Sequence, residues 1–208
     1  MNRTIADPAR WEHPVQESQQ AFRSLLLALS RPCLPVALPL PEGDAGSLPS
    51  ELAAIALTMC DQDTAVWLSP SLNTEEVRRW FRFQCGAVLT DSPSGADFAF
   101  ASRPEDMPLL ADLSRGEPEY PDRSTTLCVG GVSFEQGEGS LSLTASGPGI
   151  EHPMPFYCNL PEEFTGRWEE NHLAFPQGVD LFLCGRGMVA GLPRSTCLKA
   201  QKEETPCM

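Results

Sequence analysis

The sequence predicts a three-layer α/β protein in which helices flank a mixed β-sheet. Segments with apolar residues three and four positions apart, which is the helical pattern, alternate with short apolar runs of strand length. Two late pairs of such runs are joined by glycine-containing connections, which indicates hairpins and therefore antiparallel strands. The chain has 208 residues, 41% of them hydrophobic and 21% charged, so we expect one domain with a substantial core.

Helix signals fall in five segments: residues 17–30, residues 50–60, a segment starting at Asn73, a segment from Pro104 to Gly116, and residues 161–172. Asn73 and Glu76 form a capping-box variant. Pro104 lies in a first turn, followed by two acidic residues near the positive end of the helix dipole. Met107, Leu110 and Leu113 would then face inward.

Strand signals fall in residues 34–40, 65–68, 98–101, 125–134, 140–146, 179–183 and 188–190. Prolines restrict the first of these to a sheet edge, whereas residues 65–68 are expected in the interior. We predict hairpins between 125–134 and 140–146 and between 179–183 and 188–190. Around this single domain, placed at 17–197, we expect an N-terminal arm at 1–16 and a polar tail at 198–208.

The net charge of −13 opposes binding to nucleic acid or to an anionic membrane, because both require a basic surface. Any anionic ligand must be met by a local group of arginines, and Arg78, Arg79 and Arg82 form the one basic cluster of the sequence. The longest wholly apolar run, Leu25–Leu29, cannot cross a bilayer, and the first twenty residues lack the apolar core of a signal peptide. We therefore expect a cytoplasmic protein.

The cysteines and histidines do not predict a metal site. The eight cysteines are at least ten residues apart, which excludes the C-x-x-C spacing of zinc ribbons and thioredoxins. Most are expected to be buried, reduced thiols. His13, His152 and His172 are widely separated and have no partner at helical or strand spacing. The only lysines, Lys199 and Lys202, lie in the predicted tail, so a Schiff base to pyridoxal phosphate (PLP) in the core is excluded.

Three local features have both a chemical and a structural interpretation. Asp180 and Arg194 lie at the open end of the last hairpin, where they form either a ligand site or, as we favour from the residues alone, a salt bridge. The turn Gly147–Ile150 either offers amide donors to an anion or is a plain tight turn. Asp61 and Asp63 either bind magnesium or act as acid and base, or they cap a loop.

The order of several short motifs resembles that of the PhnH family, a subunit of the bacterial carbon-phosphorus lyase complex. The resemblance runs from about residue 14 to residue 196, and its motifs are residues 19–26, 30–32, 61–68, 82–83, 147–150, 175–180 and 193–194. Cys33 departs from the pattern, since the family usually has glycine there, and Ser195 stands where threonine is common.

The resemblance implies a fold similar to that of PLP-dependent transferases, without the cofactor. It implies a homodimer when isolated and association with PhnG, PhnI and PhnJ subunits. With these partners the complex replaces the adenine of ATP by an alkylphosphonate, giving α-D-ribose 1-methylphosphonate 5-triphosphate. ATP and the phosphonate would be substrates of the complex, and the isolated chain is expected to be an inactive part of this transferase.

For this chemistry we consider two arginines as guanidinium donors, a glycine turn as an amide donor, an aspartate that orients an arginine, a second aspartate as metal ligand or base, and a flanking hydroxyl. The corresponding candidates are Arg194, Arg82, Gly147, Gly149, Asp180, Asp63 and Ser195. The alternative is that these residues fix the fold and a subunit interface while PhnI carries the catalytic groups. A different class of function is a free-standing cytoplasmic α/β enzyme or a module that binds a small anion.

Overall fold

The computed structural model describes residues 7–201, in which four α-helices alternate with ten strands. The helices are α1 Pro14–Ser30, α2 Ser50–Met59, α3 Glu75–Trp80 and α4 Phe164–Leu173. A π-helical turn, Phe81–Cys85, continues α3. No helix among the described residues is long and apolar enough to cross a membrane.

Seven strands form the main sheet: β1 Val36–Ala37, β2 Ala65–Leu68, β3 Val88–Leu89, β4 Phe98–Ala101, β5 Thr126–Val129, β8 Asp180–Gly185 and β9 Met188–Leu192. Their spatial order is β1-β9-β8-β5-β4-β2-β3. A smaller antiparallel sheet, ordered β10-β6-β7, consists of β6 Leu141–Gly147, β7 Ile150–Cys158 and β10 Cys197–Ala200.

The main sheet is mixed. Strands β3, β2, β4, β5 and β8 run parallel, so their carboxyl ends share one edge, whereas β9 and β1 are antiparallel to their neighbours. The prediction of an α/β protein with a mixed sheet is therefore confirmed. The edge position of β1 and the interior position of β2 are also as expected.

Alternate residues of the central strands enter two different cores, as the two-residue period of a strand requires. In β4, Phe100 packs in the core beneath α1, α2 and α3, while Ala99 belongs to the core on the opposite face. In β8, Phe182 and Leu181 are divided in the same way. The second core is covered by α4 and by the small sheet, so only one of the two outer layers is entirely helical.

The helix predicted from Pro104 to Gly116 is wrong. Only the short 3-10 turns Pro104–Asp106 and Leu110–Asp112 form, and the chain is extended at Met107. The reason is Pro108, which donates no backbone N–H and disfavours the helical conformation of the residue before it. The cap predicted at Asn73 is also displaced by one residue, because the Thr74 hydroxyl accepts from the Val77 amide at 3.3 Å.

The first predicted hairpin is likewise wrong, whereas the second is confirmed. Strand β5 lies between β4 and β8 in the main sheet, and β6 instead forms a hairpin with β7 across the turn at Pro148–Gly149. The two prolines within β7 obscure its strand pattern, and β7 tolerates them because it is an edge strand. The β8–β9 hairpin pairs Leu183 with Ala190, as the sequence indicated.

The described parts of the predicted arm and tail contain ordered contacts. Helix α1 starts at Pro14, and the amides of Ala9 and Arg10 bond to carbonyls of the loop after β1 at 2.9 Å. Residues 198–200 belong to β10, which pairs with β6. Residues 1–6 and 202–208 of these segments lie outside the described part of the chain.

Candidate functional site

Asp180 and Arg194 meet at the amino-terminal edge of the parallel strands. Asp180 is the first residue of β8, and Arg194 follows the end of β9, which pairs with β8. Asp180 Oδ1 accepts from the Arg194 amide at 2.7 Å and from Arg194 Nε at 3.0 Å, and Oδ2 forms a salt bridge with Nη2. The two side chains are only 25% and 13% exposed. The result is a bidentate, largely desolvated ion pair.

The remaining donors of the Arg194 guanidinium are also satisfied within the chain. Nη1 donates to the Pro121 carbonyl at 2.8 Å and, more weakly, to the Pro176 carbonyl at 3.4 Å. Nη2 donates to the Ser124 hydroxyl as well as to Asp180. All five N–H groups of a guanidinium are thus occupied. This geometry favours the structural alternative for Arg194, since a bound phosphonate would have to displace existing acceptors.

Gly147 and Ser195 lie beside this ion pair, and their contacts are those of close backbone packing. Gly147 has φ 133°, and a Cβ placed on it would lie 2.9 Å from the Ser195 carbonyl oxygen. Gly149 has φ 83°, and its Cβ would lie 2.5 Å from the carbonyl oxygen of Ser30 at the end of α1. The turn between them therefore requires glycine for conformation and space, without any ligand.

Arg82 and Asp63 are placed away from the Asp180–Arg194 pair. Arg82 is exposed on the π-helical turn, and among residues 7–201 it forms no salt bridge or side-chain hydrogen bond. Asp63 is exposed in the loop before β2, and its amide donates to Asp61 Oδ1 at 3.0 Å. Asp61 also accepts from the Thr64 hydroxyl at 2.9 Å, which is the loop-capping arrangement. The seven candidates therefore do not form one site.

The carboxyl edge of the parallel strands carries a polar cluster that sequence reasoning missed. Ser69 and Ser102 directly follow β2 and β4, and the Ser71 hydroxyl lies 3.0 and 2.9 Å from their hydroxyls. Asp106 Oδ2 accepts from Ser71 at 2.7 Å, from Ser102 at 2.7 Å and from Arg103 Nε at 3.1 Å. Serines placed immediately after two strand-like runs were the available signal.

The hydrogen bonds of this cluster keep the carboxylate of Asp106 ionised. The Ser71 hydroxyl is the main cause that lowers the pKa of Asp106, and the Ser102 hydroxyl and the Arg103 guanidinium add to it. Desolvation acts in the opposite direction. In open α/β sheets this edge is the usual ligand-binding edge. Here its polar groups bond to one another.

A second feature missed from the sequence is the support of the Arg194 segment by α4. Asn171, which is fully buried, donates to and accepts from the Val179 backbone at 2.9 and 2.8 Å. His172 Nδ1 lies 3.0 Å from the Arg194 carbonyl oxygen. No periodic or motif signal distinguished these side chains, because their partners are backbone groups.

Comparison with known proteins decides the family. The family model described as "Bacterial phosphonate metabolism protein (PhnH)" matches residues 9–199. The chain belongs to the PhnH family. It is 39% identical over 195 residues to the alpha-D-ribose 1-methylphosphonate 5-triphosphate synthase subunit PhnH of Rhizobium meliloti (strain 1021), covering 90% of this chain and 93% of the relative. It is 31% identical over 191 residues to the putative C-P lyase subunit protein HtxG of Stutzerimonas stutzeri, covering 89% and 87%.

The structure explains one departure of this PhnH family member from the family pattern. Cys33, where the resemblance to the family implies glycine, has φ 63°, which is the left-handed region that glycine adopts most easily. Its amide donates to the Gly191 carbonyl at 2.9 Å, and its side chain is buried. The turn after α1 is thus retained with a cysteine in a glycine-type conformation.

Within residues 7–201 we examined the thiols and the groups that could bind a metal ion. No group of three or more His, Cys, Asp or Glu residues in the described part of the chain could hold a metal ion. Burial raises the pKa of the Cys158 thiol to about 11 and that of the Cys33 thiol to about 12, so both are neutral near pH 7. The cysteines of residues 7–201 are free thiols, as expected.

A shallow cavity of about 210 Å³ lies between α4 and the segment before β5. It is lined by Leu109, Leu110, Ala111, Arg115, Arg167 and Glu170. None of the seven candidate residues lines this cavity.

Proposed function

We propose that this chain is the PhnH-type subunit of a carbon-phosphorus lyase complex in phosphonate catabolism. With PhnG-, PhnI- and PhnJ-type partners it would serve the displacement of adenine from ATP by an alkylphosphonate, giving α-D-ribose 1-methylphosphonate 5-triphosphate. The observation that carries the proposal is the 39% identity, over 90% of the chain, to a relative named as a subunit of that synthase.

Within the complex we assign this chain a role in assembly, with the catalytic groups on a partner. The saturated guanidinium of Arg194 supports this assignment, because a phosphonate or triphosphate binds best to donors that are free. The same assignment makes the isolated chain inactive. Among the candidate residues, exposed Arg82 is the one placed to contact an anionic group directly.

The remaining expectations form part of the same proposal. The main sheet would have the arrangement of PLP-dependent transferases without binding PLP, an idea supported by the succession of five parallel strands and an antiparallel pair. The absence of lysine before position 199 also supports it. We further propose a cytoplasmic protein that forms a homodimer when isolated and binds no cofactor of its own.

The test is co-expression of a tagged chain with the PhnG-, PhnI- and PhnJ-type subunits of its host. We expect co-elution in size-exclusion chromatography and release of adenine from ATP plus methylphosphonate, and we expect omission of this chain to abolish that release. Elution of the chain alone, with adenine release unchanged by its omission, would overturn the proposal in favour of a free-standing domain.

A further inference from the structure

The π-helical turn after α3 presents an exposed aromatic ring close to two exposed arginines. Phe83 is 76% exposed, although Phe81, two positions earlier, is fully buried in the core. The guanidinium carbon of Arg79 lies 5.5 Å from the centre of the Phe83 ring, in a cation–π contact. We call Arg79, Arg82 and Phe83 the Arg–Phe patch. A π-helical turn is rare and is often found at functional positions.

The Arg–Phe patch is a positive site on an acidic protein. The chain has a net charge of −13, yet residues 78–82 contain three arginines. Arg78 bonds to Asn73 and lies 3.9 Å from Asp91, whereas within residues 7–201 neither Arg79 nor Arg82 forms a salt bridge. Arg79 therefore lies over the exposed ring, and exposed Arg82 precedes that ring directly in the sequence.

The composition of the patch matches the anchoring residues of protein interfaces, in which aromatic residues and arginine are enriched. Its position at the β3 end of the main sheet also leaves it open, since β3 is the edge strand and Val88 in it is 57% exposed. An exposed phenyl ring is stabilised when it enters a partner's pocket, and the flanking cations then meet acidic groups at the rim of that pocket.

We propose that the Arg–Phe patch docks into an apolar, acid-rimmed pocket on another subunit of the complex, with Phe83 as the anchor. This inference rests on the proposed function. A second copy of this chain is disfavoured as the occupant, because a two-fold interface centred on the patch would bring Arg79 and Arg82 against their own copies. A nucleotide is also disfavoured, since such ligands occupy concave sites that bury most of their surface, whereas Phe83 protrudes.

The experiment measures binding of the full chain to an immobilised complex of the PhnG-, PhnI- and PhnJ-type subunits. Phe83→Ala should weaken binding by at least about 30-fold, as expected for an interface anchor. The double substitution Arg79→Glu/Arg82→Glu should also weaken binding, because reversing the two charges slows association. Raising the salt concentration should weaken the wild type more than Arg79→Gln/Arg82→Gln. Because these side chains are exposed, the melting temperature of each variant should match that of the wild type within a few degrees, roughly as for other surface substitutions.

The matched control is Tyr120→Ala/Arg123→Gln, which removes another exposed cation–π pair, with the Arg123 guanidinium carbon 4.1 Å from the Tyr120 ring centre. This control should bind like the wild type. If the Phe83→Ala and Arg79→Glu/Arg82→Glu variants fold and bind with wild-type affinity, the docking role of the Arg–Phe patch is refuted and the proposed function stands. Failure of the wild type to bind would overturn both. Loss of ATP binding or of a homodimer by Phe83→Ala, with subunit binding unchanged, would assign the patch to another occupant and refute the inference.

Discussion

Arg194→Ala tests whether the guanidinium holds the fold together or serves a substrate. The substitution leaves the carboxylate of Asp180 without its cationic partner and the Pro121 carbonyl without its donor. Removing one partner of a buried ion pair costs about 3–5 kcal/mol, and water that reaches the quarter-exposed Asp180 brings the loss to the lower end of this range. One lost hydrogen bond to a carbonyl adds about 1 kcal/mol. We therefore expect the free energy of unfolding to fall by about 3–4 kcal/mol.

For a domain of this size the expected loss lowers the melting temperature by roughly 6–16 °C, and thermal and urea unfolding would measure it. The control is Arg186→Ala, since the side chains of Arg186 and its partner Glu135 are 71% and 69% exposed. That change should cost less than about 1 kcal/mol. A double-mutant cycle with Asp180→Asn should give a coupling energy of about 1–3 kcal/mol.

The structural interpretation also predicts how activity responds to Arg194→Ala. Adenine release by the complex should decline together with assembly, and both should recover at a temperature well below the melting point of the variant. The reasoning is refuted if Arg194→Ala unfolds like the wild type and assembles fully, yet gives a complex that releases no adenine. In that event the guanidinium would leave its present acceptors to bind the substrate.

Three further predictions concern packing and charge. Gly191→Ala should destabilise the protein by about 1–3 kcal/mol in urea unfolding, because the added Cβ would lie 2.6 Å from the backbone of α1. The control Gly166→Ala should be neutral or stabilising, because no atom lies within 4 Å of the added Cβ. Asp106→Asn should reduce stability at pH 7 but have less effect in acid. The pKa of Asp106 is lower in the folded protein than in the unfolded chain, so its carboxylate stabilises the fold at pH values above the unfolded-state pKa. This contribution is lost as the pH falls through the folded-state pKa. The thiols of Cys33 and Cys158, with pKa values raised to about 12 and about 11, favour the folded state below pH 9. Stability should therefore fall as the pH rises from 9 toward 11, by up to about 1.4 kcal/mol per pH unit for each thiol, and less steeply in Cys158→Ala; an unchanged free energy of unfolding between pH 8.5 and 10.5 would contradict the burial argument.

The elements that the sequence predicted correctly are those with a strong local pattern. Helix α2 is apolar on nearly every face, and β8 and β9 are joined by a connection rich in glycine, so local residues alone determine them. The hairpin assigned to residues 125–146 failed for a different reason. The residues of strand β5 are apolar on both faces, and this pattern fits a central parallel strand as well as one strand of a hairpin. The strands that pair with β5 in the structure, β4 and β8, are distant from it in sequence.

The candidate site was predictable only as a pair. Charge complementarity at the two strand ends identified Asp180 and Arg194 as partners, and the fold brings them within hydrogen-bonding distance. The other acceptors of Arg194 were not predictable, because the carbonyls of Pro121 and Pro176 have no side-chain signature. The serines that bond to Asp106 were missed because their assembly depends on the parallel order of β2 and β4, which single-sequence patterns do not specify.

The contacts of Arg194 account for the joint occurrence of the motifs at residues 175–180 and 193–194. Pro176 and Asp180 both supply acceptors to this guanidinium. Gly178 has φ 136°, which favours glycine, and a Cβ there would fit tightly, 3.1 Å from the Asn171 carbonyl oxygen and 3.3 Å from the Arg194 Cβ. One arginine therefore fixes the residues that precede β8, the start of β8 and the end of β9 at the same time. Motifs that occur together for this reason need no common ligand. Arg82 is the candidate arginine that has no acceptor in the described chain, and its exposed charge therefore favours contact with a partner outside the fold.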